Sequence, residues 1–241
     1  MVRASIHQPQ YIPWLGYFYK ILHSEVFVLF DTVQYPRGKH FGNRNQVKTP
    51  QGAHWLTVPV RQRSELLTFR EISVDRTQSW AEKHWRTLEV AYARSPFFRE
   101  FAPGLRHLYL EREWEQLTDL NQALLEFCMN ALGVTARLVR ASELGIEREG
   151  MDTGEYIFAI LERVGANEYI SGRGAGSQRY IQSQAFAERG IQLWYSEFAV
   201  PPYPQCWGDF IPDLSVLDVL FNCGAQARSM LASGGRLERA R

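Results

Sequence analysis

Two mostly apolar runs open the chain, at residues 2–6 and 25–31, and both read as short buried strands. Between them the pattern breaks at His7-Gln8-Pro9-Gln10-Tyr11-Ile12-Pro13, where two prolines forbid regular pairing. Residues 14–23 then read as a helix with Pro13 at its first turn. Strand, loop, helix and strand within about thirty residues predict a βαβ unit with parallel strands. Residues 34–52 are polar, glycine-containing and irregular, a long loop of the kind that carries function. Residues 55–60 and 69–74 read as strands, the former placed at an edge or bulge by Pro59. Three helical patterns follow. In one, Ala81, His84, Trp85, Leu88, Ala91 and Tyr92 recur at spacings of three and four, and in another Leu117, Leu120, Leu124 and Cys128 do the same. Further strands are predicted at 136–140, 168–171 and 191–195, with helices at 156–164, 177–189 and 214–232. The alternation predicts one α/β domain over 1–232 with a mostly parallel, Rossmann-like sheet, a helical insertion at about 78–132 and a frayed, disordered tail at 233–241.

Composition narrows the function classes. With 27 basic and 26 acidic residues the net charge is +1, so bulk attraction to nucleic acid or to an anionic membrane is not expected. The apolar runs are too short for a membrane span, no secretory leader is read, and three cysteines without a C-x-x-C pair make no disulfide framework; the expectation is a cytoplasmic protein. No H-x-x-x-H, H-x-H or cysteine cluster is present, so no dedicated transition-metal site is expected, and no G-x-S-x-G elbow points to a hydrolase.

In open parallel sheets ligands bind beyond the carboxyl ends of the strands. His7, Gln8 and Tyr11 follow the first strand in this reading, and Asp31 and Gln34 the second. The turn Ser171-Gly172-Arg173-Gly174-Ala175-Gly176 follows a third, and a last polar group lies between Gln205 and Asn222. His7 is either a general acid/base oriented by Asp31 or a hydrogen-bonded histidine at a strand end. The glycine turn either presents N–H groups to an anion, aided by Arg173 or Arg179, or is simply tight. His84 and Cys128 read as core residues, and Cys223 ends a helix where no positive dipole would activate it.

The opening Ile6-His7-Gln8-Pro9-Gln10-Tyr11-Ile12-Pro13-Trp14-Leu15-Gly16-Tyr17 resembles the start of the WbqC-like proteins. The similarity continues through Lys20, Asp31 to Gln34, Asn43-Arg44-Asn45 and Trp55 to Val60, and returns at His84-Trp85 and Tyr92. It resumes at Tyr169-Ile170-Ser171-Gly172, Tyr180-Ile181 and Tyr203-Pro204-Gln205, and closes with Phe210 to Asp218 and Phe221-Asn222-Cys223-Gly224. That resemblance implies a tailoring step on a sugar in surface-polysaccharide, O-antigen-type biosynthesis. A weaker, fold-level resemblance is to HIGH-type nucleotidylyltransferases, although the paired H-x-G-H histidines are absent and Gly16-Tyr17 stands where the second would fall.

Three functions stay open: a group transferase on a nucleotide-linked or lipid-linked sugar, a non-catalytic binding or assembly protein of that pathway, and an aminoacyl or acyl transferase using an activated carrier. In the first, His7 is the acid/base and Asp31 its orienter. Tyr11, Trp14 and Trp55 form an aromatic wall, and Asn43 and Arg44 bind polar or phosphate groups. Gln8, Lys20, Gln34, Ser171, Gly172, Arg173, Gly174, Tyr180, Gln205, Asp218 and Asn222 complete the substrate site. Residues near both ends of the chain are thus expected to converge on one pocket.

Overall fold

The computed structural model describes residues 1–61, 67–174 and 180–240. Strand β1 (Arg3–His7), helix α1 (Leu15–Leu22) and strand β2 (Val26–Leu29) form the predicted unit, and β1 and β2 pair in parallel, with Ala4 opposite Val26 and His7 opposite Leu29. Strands β5 (Arg137–Arg140), β6 (Glu168–Gly172), β7 (Gln192–Phe198) and β8 (Gly235–Arg239) extend a six-stranded sheet in the order β5-β2-β1-β6-β7-β8. All neighbours are parallel except β7 and β8.

The period-2 alternation of strands assigns each side chain to a face. In and just beyond β2, Phe27 and Leu29 join one core, while Val26, Val28 and Phe30 join the other. A parallel strand covered on both faces is apolar throughout for this reason. The second core is closed by helix α5 (Thr153–Arg163) through Tyr156, Ile157, Ile160 and Leu161, and by α6 (Ser183–Glu188) through Phe186. The first core is larger. It packs α1 against helices α2 (Trp80–Tyr92), α3 (Phe98–Arg106) and α4 (Leu117–Ala131) and against α7 (Val216–Cys223) and α8 (Gln226–Ser233). The face predicted from spacing in α2 is the buried one, with Trp80 going deeper than Ala81.

Three local expectations are corrected. The stretch read as an irregular loop contains β3 (Arg44–Thr49), which pairs with β4 (Gly52–Thr57) in an antiparallel hairpin. Its polar sequence hid it, because only Asn45, Val47 and Lys48 are buried and their partners lie far along the chain. The strand expected at 69–74 is a single 3-10 turn (Phe69–Glu71), held by a reciprocal capping box between Thr68 and Glu71. The tail expected to fray forms β8 (Gly235–Arg239), the antiparallel edge strand on β7. The start of the helix predicted from Ser177, with Gly176 and Arg179, lies outside the described residues.

Candidate functional site

The strand order reverses between β1 and β6, because the chain builds outward from β1 through β2 to β5 and then returns to β1's other edge. Crossovers leaving in opposite directions open a crevice at the carboxyl ends of such a pair. A cleft of about 730 Å³ lies there, within the range of small-molecule sites. Its lining includes His7, Gln8, Gln34, Gly174 and Tyr180 of the predicted set. It also includes Gln10, Thr32, Thr68, Arg148, Thr153 and Tyr169, which the sequence reading did not single out as site residues. Arg148 sits in a loop of mixed charge with no motif around it. Only the fold reveals its place: its guanidinium donates to the Thr32 carbonyl at 3.1 Å and to Thr153 Oγ1 at 3.2 Å, over the Tyr156 ring.

His7 is held at the end of β1 by two contacts. Its Nδ1 lies 3.0 Å from the Gln8 carbonyl, and its ring meets Tyr17 edge-on at 4.8 Å. A carbonyl only accepts, so Nδ1 carries the proton and Nε2 keeps the lone pair. Burial, followed by the nearby charge of Lys20, lowers its pKa to about 3, and the ring is neutral. Lys20, only 8% exposed, lies with Nζ 5.7 Å from the Tyr17 ring centroid, and burial lowers its pKa to about 7. The expected orientation of His7 by Asp31 is not what the structure has. Both Asp31 oxygens accept from Ser142, from its N–H at 3.0 Å and its hydroxyl at 2.5 Å, so the carboxylate ties β2 to the turn after β5.

Several other candidates sit elsewhere, each for a packing reason. The Tyr11 hydroxyl is buried between His84 Nδ1 at 2.8 Å and the Tyr109 hydroxyl at 2.5 Å, so it serves the first core. Its loop bends at Ile12, at φ +37, with Asn45 Nδ2 donating to the Ile12 carbonyl at 2.8 Å. Trp14 packs on Phe198 and lies over Gly16, so it forms no wall with Tyr11. Arg173 turns away to Glu197 and Glu238 on β7 and β8 and stacks on Tyr195. Ser171 is buried, with its hydroxyl on the Gly172 carbonyl. Asn43 and Arg44 line a separate cleft of about 400 Å³, and Trp55 lies under the Arg44 guanidinium at 3.6 Å.

The closing motif forms a buried latch. Asp218 accepts from the Tyr92 hydroxyl at 2.6 Å and the Tyr203 hydroxyl at 2.8 Å, and its main-chain carbonyl accepts from Asn222 at 2.8 Å. Burial raises the Asp218 pKa although both hydroxyls and the charge of Lys48 pull it down. Lys48 Nζ donates to Gln205 Oε1 at 3.0 Å and to the Asp209 carbonyl, and Gln205 closes a pair of bonds with Ile211. The latch joins β3, α2, the 199–215 loop and α7; the cleft at His7 draws no lining from Gln205, Asp218 or Asn222. The predicted single pocket is therefore divided into the sheet-edge cleft, the Arg44 cleft and the latch.

Among the described residues no group of three or more His, Cys, Asp or Glu is placed to hold a metal ion, and no helix is long and apolar enough to cross a membrane. Burial raises the Cys223 pKa to about 11, which keeps it a thiol.

Fold and cleft together define a mixed α/β protein with a mostly parallel sheet and a cleft of mixed polar and apolar lining where its strand order reverses. The chain belongs to the WbqC-like protein family, whose model matches residues 8–230. It is 36% identical over 233 residues to a Mycobacterium tuberculosis H37Rv chain named "Uncharacterized protein Rv1507c", covering 96% of this chain and 98% of that one. No solved structure gives a significant match.

Proposed function

We propose that this protein is a group transferase of surface-polysaccharide biosynthesis that acts on a nucleotide-linked or lipid-linked sugar in the sheet-edge cleft. The observation that carries the reading is the lining at the strand-order reversal: three glutamine amides, threonine hydroxyls, one guanidinium and His7 around the Tyr169 and Tyr180 rings. Amides and hydroxyls complement sugar hydroxyls, and flat rings complement sugar faces. The order of the parallel strands, reversing at β1, matches that of a nucleotide-binding doubly wound sheet, which supports the Rossmann-like assignment by analogy. In this mechanism a substrate hydroxyl passes its proton to the free Nε2 of His7 as its oxygen bonds to the sugar being transferred, while the bond from that sugar to its nucleotide or lipid phosphate carrier breaks and the carrier leaves with the electron pair. An anion paired with Lys20 would lift the His7 pKa and make it a stronger base.

Calorimetric titration with a panel of nucleotides and nucleotide-sugars tests the reading. Binding should be saturable, and His7→Ala should abolish turnover while sparing affinity. Absence of binding by the folded protein refutes it. A second reading, ligand binding without turnover, is favoured by the commitment of Asp31 to Ser142, which leaves His7 without its expected orienter. Equal loss of binding and of pathway output in His7→Ala would select that reading.

A further inference from the structure

The Arg44 cleft has the chemistry of an anion site. The segment that follows β2 lines both cavities in turn, Thr32 to Gln34 the first and Tyr35 to His40 the second. The second is basic. Lys39 and Arg44 line it together with Arg37, and among the described lining residues none is acidic. Its floor is built rather than loose: Tyr35 is buried against Phe69, Asn43 donates to the Val58 carbonyl at 2.8 Å, and Asn121 donates to the Gly42 carbonyl at 2.8 Å.

Arg44 is the unusual group. Its guanidinium carbon lies over the Trp55 ring, 3.6 Å from the ring centroid, a cation–π contact that anchors the group at the cleft. Its Nε is buried and has no hydrogen-bond partner. With that donor unpaired and no described carboxylate paired with Arg44, the charge of the guanidinium is uncompensated from within the described chain and favours an anion in the cleft. Phosphoryl oxygens match a planar guanidinium two at a time, and the Lys39 ammonium adds a point charge. Beside these cations two aromatic side chains stay open to solvent, Phe41 at 47% and Trp55 at 38%, with ring centroids 6.0 Å apart. They offer an apolar rest for whatever adjoins the anion.

We propose that this second cleft is a diphosphate site, in which Arg44 and Lys39 hold the phosphoryl groups of the carrier to which the sugar is linked. The carrier's role rests on the transferase reading; the anion site does not. A nucleoside diphosphate and an isoprenoid diphosphate share this chemistry, and either base or hydrocarbon stem would lie on Phe41 and Trp55.

Calorimetric titration of the full chain with inorganic pyrophosphate is the test. Saturable binding is expected, weakened at least about tenfold in Arg44→Gln, less in Arg44→Lys, and unchanged in the sheet-edge variant Gln8→Ala. Pyrophosphate should also alter tryptophan fluorescence, and Trp55→Phe should abolish that change. Should Arg44→Gln fail to fold, Lys39→Glu at the exposed rim must by itself weaken binding to the same extent. No binding at about 10 mM pyrophosphate, or wild-type affinity in both variants, overturns the site. Tighter binding of UDP than of pyrophosphate identifies a nucleotide carrier. Sedimentation with phosphatidylcholine vesicles only when they contain an isoprenoid diphosphate identifies a lipid one, and equal affinities mean that the diphosphate alone is read. Pyrophosphate binding without any sugar turnover would remove the transferase reading and leave this site standing; the reverse outcome would do the opposite.

Discussion

Replacing Lys48 by methionine separates a structural from a catalytic role for the closing motif. Methionine keeps much of the stem volume but removes the charge. The Asp209 carbonyl and Gln205 Oε1 lose their ammonium donor, and the buried Asp218 carboxylate loses the nearby cation. Lost charge-assisted hydrogen bonds are worth about 1.5–3 kcal/mol, and leaving a buried carboxylate unbalanced brings the total to about 3–5 kcal/mol. For a chain of this length each kcal/mol moves Tm by about 2–4 °C, so a fall of about 6–20 °C is expected. The pH dependence has a definite sign. The folded pKa of Asp218 is raised, so the folded state binds the extra proton and stability from this group declines as pH rises from about 4 through the folded pKa. Losing Lys48 raises that pKa further. The gap between Lys48→Met and wild type should therefore be smaller at pH 5 than at pH 8, read by calorimetric melting at both. On the proposed transferase reading, affinity for a nucleotide-sugar in the sheet-edge cleft should not change at temperatures where both proteins are folded. A Tm loss below about 2 °C at pH 8, or a gap that widens at pH 5, refutes the latch as described.

Lys20→Met should stabilise the protein. The folded pKa is about 7, below the unfolded value, so the unfolded state binds more protons between about pH 7 and 10.4 and wild-type stability rises through that window. The gain, at most about 5 kcal/mol, should be full below pH 7 and vanish toward pH 10; a loss of stability in urea titrations below pH 7 would refute the burial penalty on Lys20. Gly224→Ala should destabilise by about 2–6 kcal/mol, because the residue sits at φ +53 and an added Cβ would lie 2.5 Å from Phe97 Cδ1, so an unchanged melting curve would contradict that geometry. Ending the chain after Ser233 removes β8 and bares the β7 edge; lower Tm and self-association in analytical ultracentrifugation are expected, whereas a monomer of wild-type stability would show that β8 contributes nothing.

The parallel pair and its crossover were legible because β1, α1 and β2 are neighbours in sequence, and local periodicity reports local structure. The helical layer was legible for the same reason, since apolar residues at spacings of three and four can bury only one face. The first strand of the hairpin, Arg44 to Thr49, was not, because its buried positions are Asn45, Val47 and Lys48, two of them polar and tolerable only through distant partners. The β8 strand was missed because an edge strand in which three of five residues are exposed carries little apolar pattern.

The candidate site divides along the same line. That His7 and Gln8 end a strand is written in the chain, since the prolines after them stop any ladder. That Arg148 joins them, that Asp31 turns to Ser142, and that Asp218 faces Tyr92 and Lys48 instead of the cleft are matters of tertiary structure. A motif specifies which chemical groups the chain carries. Their partners are chosen by the sheet order, which brings together residues more than a hundred positions apart and has no local signature. Sequence alone therefore determined the family, the α/β class and the groups available, while the fold decided which of those groups share a cavity.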